Sequence, residues 1–253
     1  MNMLGNRFSN GIFQIGFILI LLLIWHWVSL QDQVPELLLP KMDAVWERLR
    51  TIVADSKSYQ HLGITLMEVF LSMSISILAG MILGFIMGQS KYIGDLLDPI
   101  VVSLYAIPII MIYPLCILFF GVGPLSKMVF GGVYAFFPIV LQTMKGVRQV
   151  DEQLIKAAVS MGASRWMTIT KVLIPAALPQ IFTGLRLAIV LGLLAIVAGE
   201  MIASIGGVGY QLSTARGTLD STGLYAWIIV TVLLVGIVST TLSWLEQRAQ
   251  KHI

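Results

Sequence analysis

The chain has 253 residues, 57% of them hydrophobic and 11% charged, with a formal net charge of +3 and one cysteine. A soluble domain carries about 25% charged residues, so the composition excludes an ordinary soluble domain and leaves a membrane protein. Cys116, alone in an apolar run, excludes an internal disulfide and a cysteine-based metal site.

A spanning helix needs about 20 mainly apolar residues. The first candidate is Gly11–Leu30, GIFQIGFILILLLIWHWVSL. It is followed by VSLQDQ, which offers no small-x-small cleavage site, so it reads as an uncleaved anchor rather than a signal peptide. After Pro40, the residues Met42, Val45, Trp46, Leu49, Ile52 and Val53 recur at helical spacing. They predict a short amphipathic helix over 41–54, lying on the outer membrane face or on the spans.

The second span is Gly63–Gly88 and the third is Ile100–Val122. Pro108 and Pro114 interrupt the third; neighbouring helices can satisfy the backbone groups that a proline frees. The fourth span, Ser126–Met144, is short. The fifth and sixth are Ala176–Ala203 and Leu224–Leu245. No internal repeat or low-complexity linker divides the chain, so residues 1–253 read as one all-α integral membrane domain.

Six spans place both termini on one side. With the N-terminus inside, the inner segments hold Arg7, Lys91, Lys145, Arg148, Lys156, Arg165, Lys171, Arg248 and Lys251. The outer segments hold Lys41, Arg48, Arg50, Lys57, Lys127 and Arg216, mostly in one loop that also carries Asp32, Glu36, Asp43, Glu47 and Asp55. The bias favours cytoplasmic termini and a cytoplasmic loop between spans four and five.

Enzymatic signatures are missing. No G-x-x-x-x-G-K-[ST] phosphate loop occurs, and His26, His61 and His252 stand in no metal-ligand spacing. No G-x-S-x-G elbow supplies a nucleophile. No catalytic residue, metal site or nucleic-acid surface is expected. Three charges fall inside spans: Glu68, Arg186 and Glu200. Such residues face a bundle interior or a wet cavity. Both glutamates lie toward the outer face, where they read as interfacial, as structural partners or as parts of a substrate path. Arg186 reads first as a structural group.

The loop between spans four and five is the best-patterned polar segment. Asp151 and Glu152 bring negative charge to a helix N-terminus. Leu154, Ile155, Ala158 and Val159 then share a face, and Gly162 can take the left-handed conformation that ends a helix. Ser164 can cap a second helix, Arg165–Leu173. Pro175 and Pro179 fit the first turns of the fifth span. Ala157 and Ala158 let another backbone come close. The product is a docking element with no energy source of its own.

This loop resembles the EAA signature of binding-protein-dependent ABC importer permeases: E-A-A, three residues, G, nine residues, I-x-L-P. Here it reads Lys156-Ala157-Ala158, Gly162, then Val172-x-Ile174-Pro175. Lys156 replaces the signature's glutamate, and Glu152 stands one turn earlier. PELLLPKMDAVWERL, LLDPIVVSLYAIPIIMIYPLCILFFGVGPLSK, ALPQIFTGLRLAIVLGLLAIVAGEMIAS and GGVGYQL are similar to the nitrate, sulfonate and taurine subgroup, whose near relatives import pyrimidine-type precursors and aromatic acids.

The resemblance implies the type I importer permease fold in a bacterial inner membrane, with a second copy forming the pore. It implies a dimer of cytoplasmic ATPase subunits that hold ATP and Mg, and a periplasmic or lipid-anchored binding protein that delivers the solute. It places ATPase coupling on Asp151, Glu152, Leu154, Ile155, Lys156, Ala157, Ala158, Gly162, Ala163 and Arg165. It lines the pathway with spans three and five. Pro108 and Pro114 flank IIMIY, where a broken helix exposes backbone groups, so Ser103, Tyr105, Pro108 and Tyr113 are pathway candidates, the tyrosines reading equally as packing or interfacial residues. Arg186 and Glu200 join them as pathway candidates that lie in stretches similar to the subgroup and read as general features rather than substrate determinants. Gly206–Gly209 is expected to be a turn after span five, or part of an outer gate. The rival readings are a transporter or channel that works without an ATPase, and a membrane enzyme. The first leaves the patterned loop unexplained and the second lacks a nucleophile.

Overall fold

Every regular element among the described residues is helical. The structure is a computed structural model and describes residues 3–31 and 34–250. Asp32, Lys251 and His252, used above in the charge balance and the histidine survey, lie outside them, as does the side chain of Arg7. The fold divides into two compact units, one reaching to Tyr59 and adding Gln211–Val230, the other holding Gln60–Tyr210 and the residues from Thr231 onward.

The first unit contains α1 (Met3–Ser29) and α2 (Met42–Ala54), with parts of α10 (Val208–Gly217) and α11 (Ser221–Gln250). From Phe17 to Ile24 the large apolar side chains of α1 are exposed, as lipid-facing residues are. Its end is tied down: the Trp25 indole N–H donates to the Pro40 carbonyl at 3.1 Å, and the ring lies 5.6 Å from that of Tyr225. The Tyr225 hydroxyl donates to the Leu38 carbonyl at 2.8 Å, and Arg48 pairs with Asp220. The apolar stripe of α2 splits. Val45 and Ile52 are buried, while Trp46 and Val53 remain exposed.

The second unit holds α3 (Ser56–Gln89, from Gln60), α4 (Lys91–Tyr105), α5 (Tyr113–Phe120), α6 (Pro124–Arg148), α7 (Glu152–Ser160), α8 (Arg165–Thr168) and α9 (Ile174–Ile202). Alpha-6 packs extensively against α9. Small residues let the backbones meet, as in membrane helix packing. On α3, Gly80, Gly84 and Gly88 recur every fourth residue, and a Cβ on any of them would collide with α6 at Ile139, Val140 or Val147. Serines then hydrogen-bond across: Ser76 Oγ donates to the Gly132 carbonyl at 2.8 Å, and Ser72 Oγ to that of Met128 at 2.6 Å. Gln180 of α9 donates to Gln142 of α6.

Among the described residues, α3, α6, Arg165–Ile202 and Ser221–Trp244 are long and apolar enough to cross a membrane, and Gly16–Ser29 is a shorter apolar helix. Three expectations need correction. The stretch Ile100–Val122 is not one helix. Alpha-4 stops at Tyr105, a single 3₁₀ turn covers Ile109–Met111, and α5 begins with Pro114 in its first turn. Pro108 cannot donate to the helix and bars helical backbone at the residue before it, which accounts for the stop. The fourth helix is longer than expected, running from Pro124 to Arg148. Pro179 does not lie at a helix start. Helical backbone is continuous from Arg165, and the wide π turn Ile169–Leu173 precedes Pro175. A π turn lets the proline ring clear the preceding carbonyl without ending the helix.

Candidate functional site

The loop after α6 builds a rigid corner. The Asp151 side chain accepts the Gln153 N–H at 2.8 Å and caps α7. At the other end Gly162 stands at φ +83°. Its N–H bonds to the Val159 carbonyl at 2.9 Å, and the Ala163 N–H to that of Ala158 at 3.0 Å. This pair of bonds closes a helix around a left-handed C′ residue, which favours glycine. The Ser164 side chain then accepts the Met167 N–H at 3.3 Å and starts α8, which continues through the π turn into α9.

One face of this corner is anchored. Ala158 is buried, and Ile155 packs with Val147, Leu173, Ala177 and Ile181. The other face is bare. Leu154, Val159, Met161, Trp166 and Met167 are exposed, Met161 at 82%. Single exposed apolar residues are ordinary, but a contiguous group marks an interaction surface. Lys156 pairs with Glu152 one turn back, 3.0 Å apart. Asp151, Ala157 and Arg165 are exposed and Ala163 is half-buried, so the coupling candidates share this one corner.

The pathway candidates do not converge. Ser103 and Pro108 are exposed. Tyr105 lies 5.8 Å from Phe137 and 6.1 Å from Tyr134, within a cluster that includes Met87 and Val140. Arg186 is exposed and donates to Ser243 Oγ at 3.1 Å. Tyr113 and Glu200 belong together, at the opposite end of α9 from the corner. Tyr113 is fully buried, 4.8 Å from the Phe130 ring, and its hydroxyl donates to the Ala203 carbonyl at 3.3 Å.

Glu200 is 1% exposed, enclosed by protein on all sides. Its carboxylate receives the Gly209 N–H at 2.7 Å and the Thr65 hydroxyl, 2.8 and 3.0 Å from its two oxygens. Thr65 Oγ1 in turn accepts the Val208 N–H at 2.9 Å, and His61 Nδ1 accepts that of Gly207 at 3.1 Å. Of the expected turn Gly206–Gly209, only Gly206 and Gly207 bend; Val208 and Gly209 already open α10, whose first N–H groups meet Thr65 and the Glu200 carboxylate. Gly207 stands at φ +103°, and a Cβ there would overlap Glu200.

Glu68 is buried as well, and its partner is one that sequence reasoning missed. Lys127, counted above among the outer-loop charges, is 2% exposed. Its Nζ lies 2.6 Å from Glu68 Oε1 and donates to Ser204 Oγ at 2.9 Å. The contact with Glu68 is a close ion pair without hydrogen-bond alignment, and Glu68 Oε2 has no hydrogen-bond partner among the described residues. Ser204 Oγ also donates to the Gly206 carbonyl at 2.6 Å. The ends of α3, α6 and α9 and the start of α10 thus share one buried polar network. Thr65→Val should strip a donor from Glu200 and an acceptor from the Val208 N–H. The expected loss is about 1–3 kcal/mol, read as a lower melting temperature in detergent, with Thr65→Ser recovering most of it.

Among the described residues no group of His, Cys, Asp and Glu is placed to hold a metal ion. In the second unit, the buried polar network around Glu200 and the bare corner stand at opposite ends of the helical run Arg165–Ile202. Residues 76–251 match the family described as binding-protein-dependent transport system inner membrane component. The chain belongs to this family.

It is 32% identical over 239 residues to the taurine transport system permease protein TauC of Escherichia coli, covering 92% of this chain and 87% of that one. It is 28% identical over 232 residues to the putative aliphatic sulfonates transport permease protein SsuC of Bacillus subtilis, covering 92% and 84%. The fold matches an inward-facing conformation of the MetNI methionine ABC transporter with a TM-score of 0.66 at 20% identity, over 76% of this chain and 95% of that one. This protein is thus a multi-pass permease subunit of an ABC importer, working with ATPase and solute-binding partners. ATP hydrolysis belongs to a separate subunit.

Proposed function

We propose that the corner from Asp151 to Pro175 is the surface through which a cytoplasmic ATPase dimer drives this permease. The observation that carries the reading is the bare apolar face of Leu154, Val159, Met161 and Trp166 on a helix fixed at both ends. A pushed surface must be rigid to pass on a displacement, and Asp151 and Gly162 supply that rigidity. The Glu152–Lys156 pair keeps an acidic group at the surface, one turn before the position where the family signature has it.

In this reading the chain crosses the bilayer six times with both termini cytoplasmic. The broken α4–α5 segment takes the place of the third span, and a second copy completes the pathway. Bound ATP and Mg²⁺ stay in the ATPase. The solute is a small sulfonate-type anion, since relatives named for taurine and for aliphatic sulfonates match almost the whole chain. A periplasmic or lipid-anchored binding protein delivers it and does most of the selecting, because among the described pathway candidates no ring of cations forms a deep anion cage.

The test is gentle detergent extraction from the native membrane, with partners identified by mass spectrometry. A stoichiometric ATPase subunit is expected, with hydrolysis rising when the sulfonate-loaded binding protein is added. A chain recovered alone, folded and moving solute in liposomes without ATP would overturn the reading.

A further inference from the structure

Behind the coupling corner lies a groove of about 810 Å³, framed by the end of α3, the start of α4, the end of α6 and the inner face of α7 and α8. Leu154, Met161 and Trp166 of the bare docking face stay outside its lining, while Val159 and the coupling candidates Glu152, Ile155, Ala163 and Arg165 are shared with it. Its wall is apolar, with Val147, Ile155 and Leu173, and its rim is charged, with Lys91, Arg148 and Arg165. Two of the rim's acids are already engaged. Asp95 holds Arg148 at 3.1 Å and Glu152 holds Lys156 at 3.0 Å. Lys91 and Arg165 have no ion-pair partner among the described residues. The N-terminus of α4, capped by Ser90, opens at the same rim and adds its positive end.

We propose that this groove binds the headgroup of an anionic phospholipid. The proposal rests on the orientation given above, which sets the groove at the cytoplasmic leaflet. Net positive charge around an apolar wall, at the ends of spanning helices, is the chemistry that holds an acidic headgroup and the first methylenes of its chains. Lys91 and Arg165 take the phosphate, Arg148 is kept in place by Asp95, and Val147, Ile155 and Leu173 receive the glycerol end. Because Ile155 and Arg165 flank the Gly162 turn, an occupied groove wedges the corner from behind while its opposite face meets the ATPase.

The experiment is native mass spectrometry of the intact importer in detergent, supplied in turn with phosphatidylglycerol, phosphatidylethanolamine or inorganic phosphate. Expected is selective retention of phosphatidylglycerol, reduced about fivefold by Lys91→Gln and again by Arg165→Gln. Lys145→Gln, a cation on α6 outside the groove, should change nothing. Equal retention of both lipids, unchanged retention in the variants, or equal occupancy by phosphate alone would overturn the lipid assignment. So would expulsion of the lipid when the ATPase docks, since the groove would then be a protein interface. ATPase stoichiometry, read in the same spectra, tests the docking surface separately: lipid selectivity lost with the ATPase still bound removes only this proposal.

Discussion

Lys127→Met is expected to be the most damaging single substitution in the second unit. It removes the ammonium from a Glu68 side chain that is 4% exposed and has no other close cation among the described ion pairs. Breaking one side of a buried pair costs about 3–5 kcal/mol, because the remaining charge stays desolvated. That is a large part of the roughly 5–15 kcal/mol that separates folded from unfolded protein. The variant should melt far below the parent in detergent, or fail to accumulate in the membrane. Glu68→Met combined with Lys127→Met should recover most of the loss, since apolar residues of similar volume can replace a buried pair at little cost. The recovery separates an ion pair from mere space filling. If Lys127→Met melts with the parent, the pair is not what holds these helix ends together.

How legible this was in the sequence depends on the range of each interaction. The corner from Asp151 to Ser164 was readable because every bond in it is local: an acid caps two residues ahead, a glycine closes a turn, a serine caps three residues ahead. The buried network was not. Thr65 and Glu200 are 135 positions apart, and nothing in one sequence pairs them. Lys127 follows a glycine-rich turn and stands at the head of an apolar stretch, so it reads as a loop charge; only the packing of α3 against α6 shows it buried. The break at Pro108 was visible, yet proline alone does not say whether a helix kinks or stops. The spacing of Gly80, Gly84 and Gly88 marks a face for close packing without naming α6 as the partner.

The two ends of the second unit are mechanically joined. Arg165–Ile202 is a 38-residue helical run, roughly 57 Å long, with the coupling corner at one end and Glu200 at the other. Along it, Gly184 packs on Gln142, Gly192 approaches Ala135, and Gln180 binds Gln142. If the corner is pushed as proposed, these contacts should make α9 and α6 move together and carry the shift to the network around Glu200. Cores packed this tightly switch between discrete arrangements rather than bending continuously.

The weakest link in that lever is the turn at Gly162, and Gly162→Val tests it. A Cβ there meets nothing within 4 Å, so space is not the constraint. The constraint is φ +83°, which costs an L-residue roughly 1–2 kcal/mol and a β-branched one more. A penalty of about 2 kcal/mol cuts the population of the native turn roughly 30-fold relative to its alternatives. Because the turn is exposed and separate from the buried network, insertion and melting temperature should stay close to the parent values. Transport should be lost, and ATP hydrolysis should no longer rise when the loaded binding protein is added. Gly162→Asn, which tolerates the left-handed region, should retain most of both activities. That ordering, glycine above asparagine and asparagine far above valine, follows from backbone conformation alone. Hydrolysis that responds fully to the binding protein in Gly162→Val would show that the corner does not carry the coupling, however well it is built.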